Sequence, residues 1–188
     1  MSLLTTEKIM WLALALYWLA SAISVKKSIK RESGWQRTTY ILCVLLAFSL
    51  LFSDYLRAPI LYRPILPQTE LWKIAGLILC ATGLLFALTA RIWLGSNWSG
   101  RITIKENHEL VQSGPYRITR NPIYTGFLLA FCGCSMSLGL LKGYLGILLL
   151  VICLMMKISK EESFMLEVFG DKWKSYKSRV KRLIPGIY

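Results

Sequence analysis

Five stretches of this chain carry no charge and approach the length of a bilayer crossing: residues 9–25, 39–53, 74–90, 121–141 and 143–156. A helix that spans a hydrocarbon core of about 30 Å needs roughly 20 residues. The second and fifth runs are short by that measure, and would borrow flanking residues or meet a thinner part of the bilayer. With 188 residues, 55% of them hydrophobic, the chain has material for one domain and too little for two sizeable ones. The first run lacks the marks of a signal peptide. Glu7 and Lys8 cancel in front of it, and no small-x-small cleavage site leads into a soluble domain. It reads as a retained helix.

The net charge of +13 is unevenly placed. Between the first two runs Lys26, Lys27, Lys30, Arg31 and Arg37 oppose Glu32. Between the second and third, Arg57, Arg63 and Lys73 oppose Asp54 and Glu70. Residues 91–120 hold five basic groups against Glu106 and Glu109, and the last connection holds only Lys142. Strongly basic connections therefore alternate with weak ones. By the positive-inside rule the amino terminus lies outside and the carboxyl tail in the cytoplasm, as an odd number of spans requires. Anionic headgroups account for the basic residues, so they give no reason to invoke nucleic acid.

The five cysteines, 43, 80, 132, 134 and 153, all sit in apolar runs. Cys132 and Cys134 point apart on a helix, so neither a metal pattern nor a disulfide framework follows, and the cysteines read as small packing residues. Gly126, Ala130, Gly133, Cys134 and Ser135 let a helix backbone approach its neighbour closely. Gly76 and Gly83 are a looser version of that signal. Gly139 and Gly143 bracket a tight turn that would make a hairpin of helices four and five.

Two segments do not fit a plain bundle. Residues 91–120 form a long polar connection, of a length that is often functional. Within it RITI and HELV read as two short extended pieces joined by KEN. The tail from Glu161 places Met165, Phe169, Trp173 and Tyr176 at spacings of four, four and three, one stripe of a helix. That pattern predicts an amphipathic helix lying at the cytoplasmic interface, interrupted at Gly170 and ended by Pro185. The expected fold is thus an all-α integral membrane protein of about five transmembrane helices, with a cytoplasmic pocket and a C-terminal amphipathic helix. Residues 1–90 would form helices one to three, and 91–188 the region that carries chemistry.

The polar groups concentrate on one side. His108, Tyr116, Arg117, Arg120, Asn121 and Tyr124 lie in or beside the long connection, and Glu161, Glu162 and Arg179 in the tail. An antiparallel helix hairpin would bring the two clusters together. Each residue also has an ordinary structural reading. Arg117 suits a headgroup contact, Arg120 a snorkelling position, Asn121 a helix N-cap, and Pro122 the first helical turn. Two arginines beside a helix start equally make an anion site. One of the adjacent glutamates would pair with Lys160 or Arg120 while the other meets a ligand.

The stretch GPYRITRNPIYTG, preceded by NHELVQS and followed by EESFMLEVFGDKWKSYKSRVKRLIP, resembles the isoprenylcysteine carboxyl methyltransferase family and its phospholipid methyltransferase relatives. The resemblance covers residues 91–185; residues 1–90 match only in their helix pattern. It implies an S-adenosyl-L-methionine-dependent membrane enzyme without the soluble methyltransferase sheet. The family's H-x-L-V falls on His108, Leu110 and Val111, and its G-P-Y on Gly114, Pro115 and Tyr116. Its R-H-P-x-Y falls on Arg120, Asn121, Pro122 and Tyr124, its paired glutamates on Glu161 and Glu162, and its late basic residue on Arg179. All of these except Arg120 and Arg179 are expected at the cofactor, and Arg120, Tyr124, Glu162 and Arg179 at the chemistry. Asn121 departs from the family's histidine: it hydrogen-bonds but is no base near neutral pH.

By this resemblance the acceptor is lipophilic or lipid-anchored and arrives from within the bilayer. A prenylcysteine carboxylate is the first expectation, with a phospholipid amine or small thiol as the alternative. The host membrane would be a bacterial or archaeal plasma membrane rather than the endoplasmic reticulum. A carboxylate needs no base, and Arg120 or Arg179 would orient it. The competing class is a membrane transport or assembly protein. Transport asks for polar groups at mid-bilayer and paired broken helices, and the apolar runs here carry neither.

Overall fold

The computed structural model describes residues 3–22, 28–31, 34–98, 103–105 and 109–188. Helices dominate because apolar runs in lipid must satisfy their own backbone groups. They are α1 (Leu3–Ser21), α2 (Gly34–Phe52), α3 (Glu70–Leu94), α4 (Pro122–Leu138), α5 (Leu141–Phe169) and α6 (Asp171–Arg179). Four of them, α1, α2, α3 and α5, are long and apolar enough to cross a membrane. The fifth, α4, has 17 residues. Both short runs borrow flanking residues, as expected. The second run gains its first turn from Gly34–Arg37, and the fifth continues through charged residues to reach 29 residues in α5. The short one is α4, which begins abruptly at Pro122 and ends at Gly139, where φ is +63°.

Glycine decides how α3 and α4 meet. A methyl group on Gly126 would stand 2.5 Å from the Gly83 carbonyl oxygen, and one on Gly133 2.5 Å from that of Gly76. The two backbones touch along this seam, as small residues permit in lipid. Beside it Ala47, Leu51, Cys80, Phe131, Cys134 and Ile158 are fully buried, and all five cysteines are free thiols. Leu12, Leu16, Leu42, Ile78, Leu148 and Ile152 point outward, half or more exposed, as a lipid-facing belt requires. The expected α4–α5 hairpin is present. At its turn the Ile65 amide donates to Gly139 O at 2.8 Å, and the buried Lys142 ammonium donates to Ser53 O and Asp54 Oδ1 at 3.1 and 2.9 Å.

Two sequence segments are refined at the other end of the bundle. Of the two extended pieces, RITI contributes to β2 (Thr103–Lys105), which forms an antiparallel ribbon with β1 (Ser28–Arg31), from the connection between α1 and α2. Among the described residues that ribbon is the one sheet in an otherwise helical fold. The separate helix of the tail starts later than Glu161. Glu161–Phe169 continue α5, and Gly170 (φ +50°) then breaks the chain into the short α6. The stripe of Trp173 and Tyr176 is buried rather than turned to lipid, because the connection before α4 packs on it.

Candidate functional site

The end of the bundle where α3 stops and α4 starts holds a cavity. Leu94, Asn97 and Trp98 reach it from the end of α3, and Glu109, Leu110, Val111 and Tyr116 from the connection. Arg120, Asn121, Ile123 and Tyr124 open α4 beneath it. Glu161, Glu162 and Met165 come from α5, and Trp173 and Tyr176 from α6.

Each wall is fixed by a local device. Gly114 takes φ +57°, and any side chain there would collide with the Trp93 ring, so the chain can turn tightly against α3. The turn Gly114–Arg117 buries Pro115 and Tyr116. The Tyr176 hydroxyl donates to Tyr116 O at 2.6 Å, locking α6 onto the turn. Burial pushes the Tyr116 phenol well above its ordinary range and that of Tyr176 up to about 12. The Arg120 amide donates to Lys181 O at 2.8 Å, and Thr119 bridges to Lys181. The connection is thereby stitched to the tail strand-fashion.

At the floor lies a buried ion cluster. Glu162 Oε1 accepts from Arg120 Nε at 3.0 Å and Nη2 at 2.9 Å, while its Oε2 accepts from Arg182 Nη2 at 2.7 Å. The Arg120 Nη1 group donates to the carbonyls of Lys177 and Val180. Of the five guanidinium hydrogens of an arginine, these bonds use four. One on Nη2 remains for a further acceptor. Glu162 in turn raises the Arg182 pKa through its hydrogen bonds and charge. Glu161, one residue earlier and so on another face, accepts from the Tyr124 hydroxyl at 2.8 Å at the cavity wall.

The structure brings together most of the residues singled out by sequence. Leu110, Val111, Tyr116, Arg120, Asn121, Tyr124, Glu161 and Glu162 all line the cavity. Gly114, Pro115 and Pro122 shape its backbone, with Pro122 at the first position of α4 as expected. His108 lies outside the described residues. Asn121 occupies the N-cap position but makes no side-chain cap; its amide donates instead to Arg182 O at 3.1 Å. That bond needs a donor and no titratable ring, which fits asparagine where the family pattern has histidine. Arg117 is exposed, and Arg179 is away from the lining, donating to Gln112 Oε1 and Ser175 O.

Several contributors were not singled out for the site by the sequence reading, Trp173 being seen only as part of a helical stripe. Trp98 and Trp173 supply two aromatic walls, Arg182 completes the ion cluster, and Arg91 braces Trp98. The buried Arg91 guanidinium stacks 4.3 Å from that ring and donates to Gly95 O and Ser21 O at 3.0 Å each. A repeated signal for the two tryptophans does exist: each follows, by three residues, a glycine that ends a long helix, GSNW and GDKW.

The fold and site define an integral membrane protein whose cavity opens at one end of the bundle. Residues 71–172 match the family described as phospholipid methyltransferase. Similar proteins include the protein-S-isoprenylcysteine O-methyltransferase B of Arabidopsis thaliana, 30% identical over 91% of this chain and 86% of its own. The protein-S-isoprenylcysteine O-methyltransferase of Schizosaccharomyces pombe is 31% identical over 53% of this chain. A solved structure of the eukaryotic intramembrane Ras methyltransferase ICMT, 25% identical, superposes with a TM-score of 0.62 over 80% of this chain. The chain belongs to the phospholipid methyltransferase family, and within its reach to the isoprenylcysteine carboxyl methyltransferases. It spans 43% of the fission-yeast relative and 53% of the solved one.

Proposed function

We propose that this chain is an S-adenosyl-L-methionine-dependent methyltransferase acting on the carboxylate of a prenylcysteine-like, membrane-embedded acceptor. The observation that carries the reading is the pairing of carboxylates with aromatic walls in the cavity. Glu161 and Glu109 stand among Trp98, Tyr116, Tyr124, Trp173 and Tyr176. Such a lining suits a sulfonium cation joined to a flat base, through ring faces and negative charge. The donor set therefore fits the cofactor, which when bound supplies an electrophilic methyl group.

The protein's own part is placement. Glu161, steadied by Tyr124, is the carboxylate assigned to the cofactor's cationic part. Glu162 is spent on two arginines, so its role is to hold Arg120. The remaining Nη2 hydrogen of Arg120 then meets the acceptor carboxylate, which is already ionised at neutral pH. No base is needed, so rate enhancement rests on alignment and exclusion of water. Arg179 keeps the connection against α6. Residues 91–188 form the catalytic region on this reading and 1–90 its membrane scaffold. The amino terminus lies outside, and the cavity faces the cytoplasm of a bacterial or archaeal cell.

The test is calorimetric titration of S-adenosyl-L-methionine into the full chain in nanodiscs, followed by methyl transfer to a prenylcysteine. Saturable binding that falls about tenfold or more in Glu161→Gln is expected, since a hydrogen bond or contact to a charged group is worth about 1.5–3 kcal/mol. No saturable binding by the unmodified chain would overturn the assignment.

A further inference from the structure

A second recess lies on the opposite face of the same helical turns that carry Glu161 and Glu162. It runs between the start of α2 and the late part of α5. Trp35, Gln36, Thr39 and Tyr40 line one side, and Met156, Ser159, Lys160 and Ser163 the other. Its chemistry is graded. Met156 and the rings of Trp35 and Tyr40 are apolar, while the hydroxyls of Thr39, Ser159 and Ser163, the Gln36 amide and the Lys160 ammonium stand beside them.

Depth says what such a recess meets. At about 1.5 Å per residue, roughly 20 residues of helix cross a hydrocarbon core of about 30 Å. Counted from Leu141 at the far hairpin, the core ends near Lys160, and α5 runs on to Phe169. The polar part of the recess is therefore at headgroup level and Met156 at the level of the upper acyl chain. Trp35, 81% exposed, sits where aromatic belts form. Among the described residues Lys160 makes no ion pair; its ammonium rests 5.5 Å from the Phe164 ring centre. The surrounding segments are basic: residues 157–188 hold eight basic groups against four acidic ones.

We propose that this recess binds one anionic phospholipid of the adjoining leaflet, with its phosphate on Lys160 and the Ser159 hydroxyl and its acyl chain along Tyr40 and Met156; the Ser163 hydroxyl, which donates to Lys160 O at 2.7 Å, lines the recess. Charge complementarity selects the acidic headgroup, because a basic segment at the membrane surface gains about 1 kcal/mol per cation from acidic lipid. The bound lipid wedges α2 against the stretch of α5 that carries the two glutamates. It goes beyond the methyl-transfer reading and does not rest on it.

The full chain, delipidated in detergent, is offered vesicles of phosphatidylglycerol or phosphatidylcholine, and lipid retained after re-extraction is counted by native mass spectrometry. One phosphatidylglycerol per chain is expected, with little phosphatidylcholine. Lys160→Glu should lower retention about tenfold. Ser163→Trp, which fills the recess without changing charge, should do the same, while Lys172→Glu on exposed α6 should not. Thermal melts run alongside report whether each variant is folded. Equal retention in all variants would refute the site. So would retention of phosphatidylcholine as readily as phosphatidylglycerol, binding of free glycerol phosphate without lipid, or a dimer that shields Trp35.

Discussion

Glu162→Gln is the sharpest perturbation of the site's floor. The carboxylate is 7% exposed, and its partners Arg120 and Arg182 are 5% and 19% exposed. Three charges make a cluster of net +1; removing the negative one leaves two guanidinium groups facing each other with little water. Breaking a buried pair by removing one partner costs about 3–5 kcal/mol. Arg182, the more exposed arginine, can turn outward and recover part of that, which puts the expected loss near 3 kcal/mol, about a hundredfold in the folding equilibrium. For a chain of this size each kcal/mol moves Tm by about 2–4 °C, so Glu162→Gln should melt roughly 6–12 °C lower. Scanning fluorimetry in detergent reads this directly. In a double-mutant cycle, Arg182→Met should cost less on the Glu162→Gln background than alone, with a coupling of about 1 kcal/mol or more. A Glu162→Gln protein that melts with the parent yet loses cofactor affinity would refute the reasoning, because Glu162 would then be a ligand contact rather than a brace.

Gly126→Ala should force α3 and α4 apart and cost about 1–3 kcal/mol, read as a lower Tm, whereas Gly34→Ala, with nothing within 4 Å of the added carbon, should not. Tyr124→Phe removes the hydroxyl that steadies Glu161, and should raise KM for the methyl donor about tenfold with a smaller change in kcat. Tyr176 has its pKa raised from 10.0 to about 12, so the unfolded chain loses that proton first. Stability should hold below about pH 10 and fall between about 10 and 12, the buried Tyr116 adding to the fall. Tyr176→Phe should flatten this slope in melts taken across the range, while losing the bond to Tyr116 O.

The apolar runs made the helices legible, because charge-free segments of that length have one backbone solution in lipid. Helix ends were less so. The extension of α5 past Lys157 follows from tertiary packing of a polar face, which hydropathy does not register. The strand partner of Thr103–Lys105 lies more than 70 residues back, and nothing local encodes it. At the site, Arg120, Tyr124 and Glu161 were legible through motif and hairpin geometry. Arg182 was not, since a cation in a basic run looks like any other until its carboxylate is located. The stripe of Trp173 and Tyr176 was seen, but its outward direction was inferred from composition, and a protein wall and a lipid surface select the same residues.

Gly95 and Gly170 end α3 and α5 in nearly the same conformation, φ +54° and ψ −130° against φ +50° and ψ −120°. Side chains rarely adopt it. Each is followed after three residues by a tryptophan of the cavity wall. The mouth is thus framed by two matching brackets on separate helices, and its gauge is counted in residues. One residue inserted between either glycine and its tryptophan would swing that ring through about a third of a helical turn, away from the opening. Variation in cavity width among related chains is expected to be written in these two short intervals rather than in the membrane helices.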